Sequence, residues 1–365
     1  MSYAPIPMIP GPTTVSPKVL DAMCRDFGSG QVEKEFLSTY ARTGRKLARL
    51  MGPKNPDVVL MTGEGMLALW GALKSCLRPG DAVVSVVNGY FSQGIAEMAA
   101  GLGCKVESVV LPFDSTVDAD ALQKIEDCVR RVQPVMITAV HCETPSGTLN
   151  PLEGIGGIKK RLGVPLLYVD AVASLGGAPV LADDWSIDLL LAGSQKCLSA
   201  PPSMTIIGVS ETAWDIMHKV GYAGYDSILP FRTVQQDGRC PYTPYWHGVA
   251  ALEAAMDILL EEGLDDVFAR HEKVAAQCHS GLAALGIGLF PQRGAVCSPT
   301  VTAAFVPQGF SFAEWQDRLR AQGLIVGGSF GPMAGKVFRL GHMGLQADEG
   351  LMEKALEAIA GVLKK

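Results

Sequence analysis

Short apolar runs rich in β-branched residues alternate with longer segments of helical periodicity along the first two thirds of the chain. The strand-like runs are residues 57–61 (DVVLM), 81–87 (DAVVSVV), 135–140 (VMITAV), 165–170 (PLLYVD) and 188–193 (DLLLAG). Helical segments separate several of them, as at residues 63–77, 88–103 and 152–163. Strands joined through helices form a largely parallel sheet that is covered on both faces. The pattern therefore predicts an α/β fold.

The pattern changes from about residue 253, where long helical segments begin. They are followed by a strand-like run at residues 300–307 (TVTAAFVP), a helix near residues 311–322 and a closing helix after Asp348. With 365 residues the chain exceeds the roughly 250–300 residues over which a single core grows. We predict a large domain over residues 16–257, preceded by an arm at 1–15, and a smaller α+β domain over 258–365.

The composition indicates a well-packed globular protein that acts on small molecules. Hydrophobic residues make up 48% of the chain and charged residues 19%. The net charge of −6 provides no basic surface to neutralise phosphates, which argues against nucleic acid as the main partner. The nine cysteines include no CxxC pair and fit free thiols in the cytoplasm. Prolines interrupt the N-terminus, and no apolar run approaches the ~18 residues of a membrane span.

Polar and glycine-rich turns follow several of the predicted strands. In parallel sheets the carboxyl ends of the strands form the edge at which ligands bind. The turn Gly63-Glu64-Gly65 opens a helix, and the free N–H groups there favour an anion, although such turns are commonly structural only. Phe91, after the next strand, offers an aromatic face or is simply a core residue. His141, in a polar loop, is expected to be a satisfied buried histidine rather than a ligand.

Asp170 and Lys196 stand at the ends of two apolar strands, in LLYVD and LLLAGSQK. Lysine strongly resists burial unless it is paired or used chemically. One interpretation is a buried salt bridge, which is costly to desolvate. The functional interpretation is that Lys196 forms a Schiff base with an aldehyde while Asp170 keeps a ring nitrogen protonated, which is pyridoxal chemistry.

Six segments together resemble the class V aminotransferases of the type I pyridoxal-phosphate fold, near the alanine-glyoxylate, serine-pyruvate and pyridoxamine-pyruvate transaminases. They are PGPTTVSPKVL (10–20), HCETPSGTLNP (141–151), YVDAVASLGG (168–177), GSQKCLSAPPS (193–203), PYTP (241–244) and FRLGHMG (338–344). The resemblance implies a large domain with a mainly parallel seven-stranded sheet, a smaller C-terminal domain and an N-terminal arm near the active site. It also implies a homodimer with shared active sites.

Roles for individual residues follow from this resemblance. Lys196 would form the Schiff base and carry the proton, and Asp170 would pair with the pyridinium nitrogen. The resemblance also assigns cofactor-binding positions, with Val172 beneath the ring, Phe91 above it, Thr144 near the ring hydroxyl, and the turn Gly63-Glu64-Gly65, Gln195 and the neighbouring subunit's Thr243 near the phosphate. Substrate-binding positions are Gly11, Glu64 and Arg339, whose guanidinium would clamp the substrate carboxylate. No metal is expected.

One departure from the family pattern bears on the cofactor. Most such transaminases carry a small hydroxyl residue or glycine where this chain has Glu64, and a carboxylate there would repel a phosphate. The resemblance to pyridoxamine-pyruvate transaminase, which uses the free vitamer as substrate, includes a GE at this turn. Glu64 could then accept a hydrogen bond from a 5′-hydroxymethyl group. Against this, Gln195 keeps the phosphate-binding residue, and Phe330 stands where the vitamer-using enzyme's additional arginine is expected.

The resulting prediction is an aminotransferase that moves an amino group to pyruvate or glyoxylate. The favoured subgroup resembles pyridoxamine-pyruvate transaminase, with free pyridoxal or pyridoxamine as substrate. A conventional alanine- or serine-glyoxylate transaminase with pyridoxal 5′-phosphate is the alternative. A cysteine desulfurase-like lyase is a distant third, because Gln195 rather than histidine precedes the lysine.

Overall fold

The computed structural model describes residues 6–52 and 57–364. The first five residues of the predicted arm lie outside this part. The α-helices, in chain order, are α1 (Pro17–Met23), α2 (Lys34–Ala48), α3 (Gly65–Cys76), α4 (Tyr90–Gly101), α5 (Ala119–Val132), α6 (Glu153–Leu162), α7 (Glu211–Val220), α8 (Val234–Asp237), α9 (Trp246–Glu262), α10 (Leu264–Ala284), α11 (Phe312–Ala321) and α12 (Glu349–Leu363). No helix of the described residues has both the length and the apolar character needed to cross a membrane.

The strands form one large sheet, one small sheet and a short hairpin. They are β1 (Ile6–Met8), β2 (Asp57–Thr62), β3 (Ala82–Val87), β4 (Lys105–Val110), β5 (Met136–Val140), β6 (Cys142–Glu143), β7 (Thr148–Leu149), β8 (Leu166–Asp170), β9 (Leu189–Gly193), β10 (Met204–Val209), β11 (Val301–Phe305), β12 (Leu324–Gly328) and β13 (Val337–Gly341). The five strands predicted before residue 200 are confirmed, each within one residue at either end.

The large sheet has seven strands in the order β2-β10-β9-β8-β5-β3-β4. Its strands run parallel except for β10, which pairs antiparallel with both β2 and β9. The predicted α/β class with a mainly parallel seven-stranded sheet is confirmed. Because β2, β3, β5, β8 and β9 point the same way, the loops after them meet at one edge of the sheet.

Both faces of the large sheet are buried, which explains why its strands are continuous apolar runs. Successive side chains of a strand point to opposite faces. Leu167 and Val169 of β8 belong to a core that includes residues of α2, α5, α6 and α9. Leu166 and Tyr168 of the same strand belong to a second core, with α3, α4 and α7. The edge of the sheet, rather than either face, is therefore open for ligands.

The small sheet has the order β1-β12-β13-β11 and joins the two ends of the chain. β1 lies parallel to β12, with Ile6 opposite Leu324. The predicted boundary at residues 257/258 falls inside α9. The core of the large sheet continues to Val267 in α10, and the core of the small sheet begins at Val274 in the same helix. The chain passes from one core to the other along α10.

Candidate active site

A cavity of about 180 Å³ lies at the edge where the parallel strands end. Residues at the starts of two helices, α3 and α4, and at the ends of three strands, β5, β8 and β9, line it. They are Glu64, Gly65, Met66, Leu69, Phe91, Cys142, Thr144, Asp170, Val172, Ala173, Gln195 and Lys196. The cavity thus brings together eight positions singled out from the sequence: Glu64, Gly65, Phe91, Thr144, Asp170, Val172, Gln195 and Lys196. Met66, Leu69, Cys142 and Ala173 were not singled out, because their residue types are those of an ordinary core.

Lys196 reaches the cavity from the loop after β9. Its Nζ donates a hydrogen bond to Pro10 O at 2.7 Å, so the N-terminal arm passes directly over it. Gly11 has φ +80°, and a Cβ added there would lie 2.5 Å from Lys196 Cδ. Burial, followed by the nearby positive charge of Arg339, lowers the pKa of the Lys196 amine. A lowered pKa makes the neutral, nucleophilic amine available.

Asp170 is the last residue of β8 and is 6% exposed. Its Oδ1 accepts a hydrogen bond from Val172 N at 2.8 Å. Burial raises the pKa of Asp170 to about 7, and the nearby Glu143 carboxylate also raises it, against the Val172 hydrogen bond. No ion pair within 4 Å joins Asp170 to Lys196 in the described part of the chain, so the two residues do not form the buried salt bridge. The nearby charge of Lys196 lowers the pKa of Asp170 without pairing with it, which leaves the carboxylate open to a cationic group of a ligand.

Glu64 caps the N-terminus of α3 and also holds Gln195. Its Oε1 accepts a hydrogen bond from Met66 N at 3.0 Å, and its Oε2 accepts one from Gln195 Nε2 at 3.1 Å. Gln195 is buried, and its Oε1 has no hydrogen-bond partner among the residues the structure describes. Turning the amide over would bring Oε1 against the Glu64 carboxylate, so Glu64 determines which way Gln195 points. One carboxylate therefore engages two donors at the cavity.

Phe91 and Val172 provide apolar walls of the cavity. Phe91 lies in the first turn of α4, and its ring makes an edge contact with Phe330 at a centroid distance of 6.4 Å. Val172 packs against Gly65, where an added Cβ would lie 2.8 Å from Val172 Cγ2. An aromatic ring and a branched aliphatic side chain are suitable surfaces for a flat ring.

Arg339, in the middle of β13, is 6% exposed. Its Nε donates to Gly328 O at 2.6 Å and its Nη1 to Thr144 Oγ1 at 3.3 Å. Its guanidinium carbon lies 4.8 Å from the centre of the Phe330 ring. Burial lowers the pKa of Arg339 to about 10, and none of the ion pairs in residues 6–52 and 57–364 includes it. A buried guanidinium without an acidic partner is a binding group for a ligand anion.

Thr243 is the one predicted cofactor-binding residue that lies in a different cavity, together with Thr62, Tyr225 and Tyr242. Within one chain it does not join Lys196 and Asp170. His141 is buried, its Nδ1 contacts Ser174 Oγ at 2.9 Å, and burial lowers its pKa to about 4. It is a satisfied core histidine. The described residues contain no cluster of histidine, cysteine and acidic side chains placed to hold a metal.

Pro10 and Phe330 are two contacts whose importance only the structure reveals. Pro10 offers a backbone oxygen to Lys196, and Phe330 offers a ring face to Arg339. The Pro10 contact joins a backbone oxygen to a residue 186 positions away, so the residue types gave no signal for it beyond the segment PGPTT. Phe330 was noted in the sequence only as the place of an expected arginine, and the contact of its ring with Arg339 was not predicted. Tyr90 stacks on Phe330 at 5.3 Å and extends this aromatic surface.

A family model described as aminotransferase class-V matches residues 10–335 of the chain. The chain is 35% identical over 351 residues to an uncharacterized aminotransferase of Methanocaldococcus jannaschii, which covers 94% of this chain and 89% of the relative. It is 32% identical over 369 residues to alanine–glyoxylate aminotransferase of Callithrix jacchus, with coverages of 97% and 86%. The crystal structure of pyridoxamine-pyruvate aminotransferase from Mesorhizobium loti superposes with a TM-score of 0.93 at 29% identity, with coverages of 100% and 93%.

Proposed function

The chain belongs to the class V aminotransferase family, and from this premise we propose that it transfers an amino group to pyruvate or glyoxylate through a pyridoxal-type ring. The cavity fits such a ring in three respects. Phe91 and Val172 supply apolar walls, Asp170 supplies a buried carboxylate without a cation, and Lys196 supplies an amine of lowered pKa. When bound, the ring would supply an electrophilic carbonyl and an electron-accepting nitrogen heterocycle.

The side chains around the ring divide the work. Lys196 acts as nucleophile and moves the proton at its Nζ, and the Pro10 carbonyl orients that amine. Asp170 would hold the ring nitrogen in its protonated form by accepting a hydrogen bond from it, and that bond would stabilise the carboxylate form of Asp170. Arg339 binds the carboxylate of the amino acid or 2-oxo acid, with Thr144 and Gly328 fixing the plane of the guanidinium.

We further propose that free pyridoxamine and pyridoxal, rather than the phosphorylated forms, are the substrates. The observation that carries this is the bond of Glu64 to both Met66 N and Gln195 Nε2, which engages the donors that a phosphate at this helix start would need. A phosphate charge about 4 Å from the Glu64 carboxylate would be repelled by about 4 kcal/mol at an effective dielectric constant of about 20. A hydroxymethyl group can donate to Glu64, whereas a phosphate dianion has only acceptors.

The conventional alternative is a phosphate-dependent alanine- or serine-glyoxylate transaminase. The similarity to the marmoset alanine–glyoxylate aminotransferase and the presence of Gln195 in the cavity favour it. In that case Glu64 would turn away and free both donors for phosphate. For either substrate class we propose a homodimer to which the partner subunit's Thr243 contributes. We also propose a cytoplasmic location, because all nine cysteines are free.

The substitution Glu64→Gln separates the two candidates. If a hydroxymethyl group donates to Glu64, removing the charge should raise the Kd of pyridoxal about tenfold to a hundredfold, the range for a bond to a charged group of about 1.5–3 kcal/mol. The Kd of pyridoxal phosphate should fall, because a like charge has been removed. The measurement is a spectrophotometric titration of the wild type and of Glu64→Gln with pyridoxal and with pyridoxal phosphate.

Asp118→Asn is the matched control for this experiment. Asp118 caps α5 by accepting a hydrogen bond from Ala121 N at 2.8 Å, so its variant removes the same charge from the same kind of helix cap, away from the cavity, and like Glu64→Gln keeps an amide oxygen as acceptor. Its affinities for both vitamers should match those of the wild type. A wild-type protein that already binds pyridoxal phosphate far more tightly than pyridoxal, with no change in Glu64→Gln, would reject the free-vitamer assignment and leave the conventional transaminase.

Arg339→Lys tests the substrate carboxylate. Lysine keeps the positive charge but loses the planar fork and the second N–H that binds a carboxylate in parallel. The KM for pyruvate or glyoxylate should rise at least tenfold, while the KM for pyridoxamine, which has no carboxylate, should change little. Steady-state kinetics with each substrate varied in turn give both values, and equal increases in the two KM values would place the carboxylate elsewhere.

A further inference from the structure

Glu143, in β6, is a buried acidic residue to which neither the family resemblance nor the proposed mechanism assigns a role. It is completely buried, with 0% of its surface exposed. Its Oε1 accepts a hydrogen bond from Ser92 N at 2.6 Å, and its Oε2 accepts one from Phe91 N at 3.1 Å. No described ion pair includes it. A buried carboxylate without a cation needs such donors, and the positive end of the α4 dipole adds to them.

The hydrogen bonds of Glu143 go to the backbone of the residue whose ring forms a wall of the cavity. Phe91 is half-buried, packs on one side against the core that includes residues of α3 and α4, and contacts the exposed aromatic residues Tyr90 and Phe330 at its edges. Because the aromatic neighbours are themselves exposed, the position of the Phe91 ring depends on this core contact and on how firmly the first turn of α4 is held. Glu143 is the side chain that accepts from Phe91 N.

The local sequence leaves space for this arrangement. Gly89 precedes α4, and a Cβ added at Gly89 would collide with the Glu143 carboxyl group. In the chain, Glu143 lies between two cavity residues, Cys142 on β6 and Thr144 in the turn that follows. Thr144 Oγ1 accepts a hydrogen bond from Arg339 Nη1. One short segment thus connects the Phe91 wall with the carboxylate-binding guanidinium.

We propose that Glu143 is a positioning residue that fixes the Phe91 ring against the pyridine ring by accepting the hydrogen bonds from Phe91 N and Ser92 N in the first turn of α4. The inference rests on the proposed function, because that function supplies the ring which Phe91 contacts. Glutamine at position 143 would keep one acceptor oxygen and turn an NH₂ group towards the other backbone N–H. One donor would lose its acceptor, and the first turn of α4 would shift or fray.

A double-mutant cycle between Glu143 and Phe91 tests the inference. The variants are E143Q, F91L and the double variant. Each is titrated with pyridoxal and, in parallel, with pyridoxal phosphate. Binding is followed by the absorbance and the circular dichroism of the bound vitamer. F91L should raise the Kd about tenfold, the upper end of the range for the loss of one aromatic ring contact. E143Q, which displaces that ring without removing it, should raise the Kd by no more than F91L does. The double variant should bind no more weakly than F91L, because Glu143 acts through Phe91.

Asp348→Asn is the matched control. Asp348 caps α12 by accepting a hydrogen bond from Leu351 N at 2.7 Å, so its variant removes one acceptor charge at a helix start in the small domain, while the asparagine oxygen still caps the helix. It should leave the Kd unchanged. If E143Q does not fold, E143D keeps the charge and moves only the carboxylate, and it should raise the Kd in the same direction by a smaller factor.

Three results would overturn the inference. One is an unchanged Kd in E143Q while F91L binds more weakly, and another is an E143Q effect of full size in the F91L background. The third is an unchanged Kd in F91L. If the wild-type protein binds neither vitamer, the proposed function itself fails and the inference falls with it, which distinguishes the two failures.

Discussion

Lys196→Ala is expected to abolish transamination, the largest loss among the variants considered. No other lysine of residues 6–52 and 57–364 lines the cavity, so none of these side chains can take over as nucleophile or proton carrier. Loss of general acid–base catalysis alone is worth about 10²–10⁴-fold, and loss of the nucleophile adds to it. The rate should fall to the background of the assay, and the visible absorbance of bound pyridoxal should disappear with it.

Lys159→Ala is the matched control, because Lys159 is also a largely buried lysine of the large domain, paired with Asp188 at 3.0 Å. It should lower the thermal midpoint and leave turnover near the wild-type value. Condensation with pyridoxal releases water and borohydride reduction adds two hydrogens, so the peptide that contains Lys196 should gain the mass of pyridoxal less one oxygen, in the wild type and in Lys159→Ala only. Near-normal turnover of Lys196→Ala would contradict the assignment of this lysine.

Asp170→Asn is expected to reduce the turnover number by two or more orders of magnitude while leaving substrate KM values less affected. Asparagine has nearly the same shape but cannot keep the ring nitrogen protonated, so the ring would accept electrons less well. An enzyme as fast as the wild type would mean that another group serves the ring nitrogen.

Although it slows turnover, Asp170→Asn should increase the stability of the unligated protein at pH 8. The pKa of Asp170 in the folded chain, about 7, lies above its ordinary value of 3.8, so between these pH values the folded chain holds a proton that the unfolded chain has released. The free energy of unfolding therefore decreases as the pH rises through this window, by up to about 1.4 kcal/mol per pH unit. At pH 8, Asp170→Asn should unfold at a higher temperature than the wild type.

Asp188→Asn is the control for stability. The Asp188 carboxylate pairs with Lys159 and accepts hydrogen bonds from Leu167 N at 2.7 Å and Ser210 Oγ at 2.9 Å. Removing its charge should lower the thermal midpoint at pH 8, because Lys159 loses its counter-ion and asparagine has only one acceptor oxygen for the two donors. If Asp170→Asn were destabilised to the same extent, Asp170 would have a stabilising cation that the geometry does not provide.

The sequence by itself determined the features that depend on local burial. Apolar runs of five or six residues identify β2, β3, β5, β8 and β9, because a strand buried on both faces cannot carry alternating polar residues. A charged residue at the end of such a run must be used or paired, so Asp170 and Lys196 were identified as site residues from their positions. Their meeting in one cavity follows from the parallel direction of β8 and β9.

The order in which elements pair was decided only by the tertiary structure. β1 lies beside β12, more than 300 residues away, and β10 runs antiparallel between β2 and β9. An apolar run such as that of β10 shows that a segment is buried but not its partner or direction. Pairing is selected by the packing of the whole core, after the entropy cost of closing long loops has been met.

The contacts that tune the site also join distant parts of the chain. Gln195 alone resembles a phosphate ligand, yet its amide is held by Glu64, 131 positions earlier, and Arg339 meets Thr144, 195 positions earlier. In the sequence Glu143 is an ordinary loop residue, and its bond to Phe91 N exists only because the start of α4 packs against it. Residue types determine which groups can donate or accept, but a hydrogen bond exists only within about 3.5 Å, and only the folded chain decides which groups come that close.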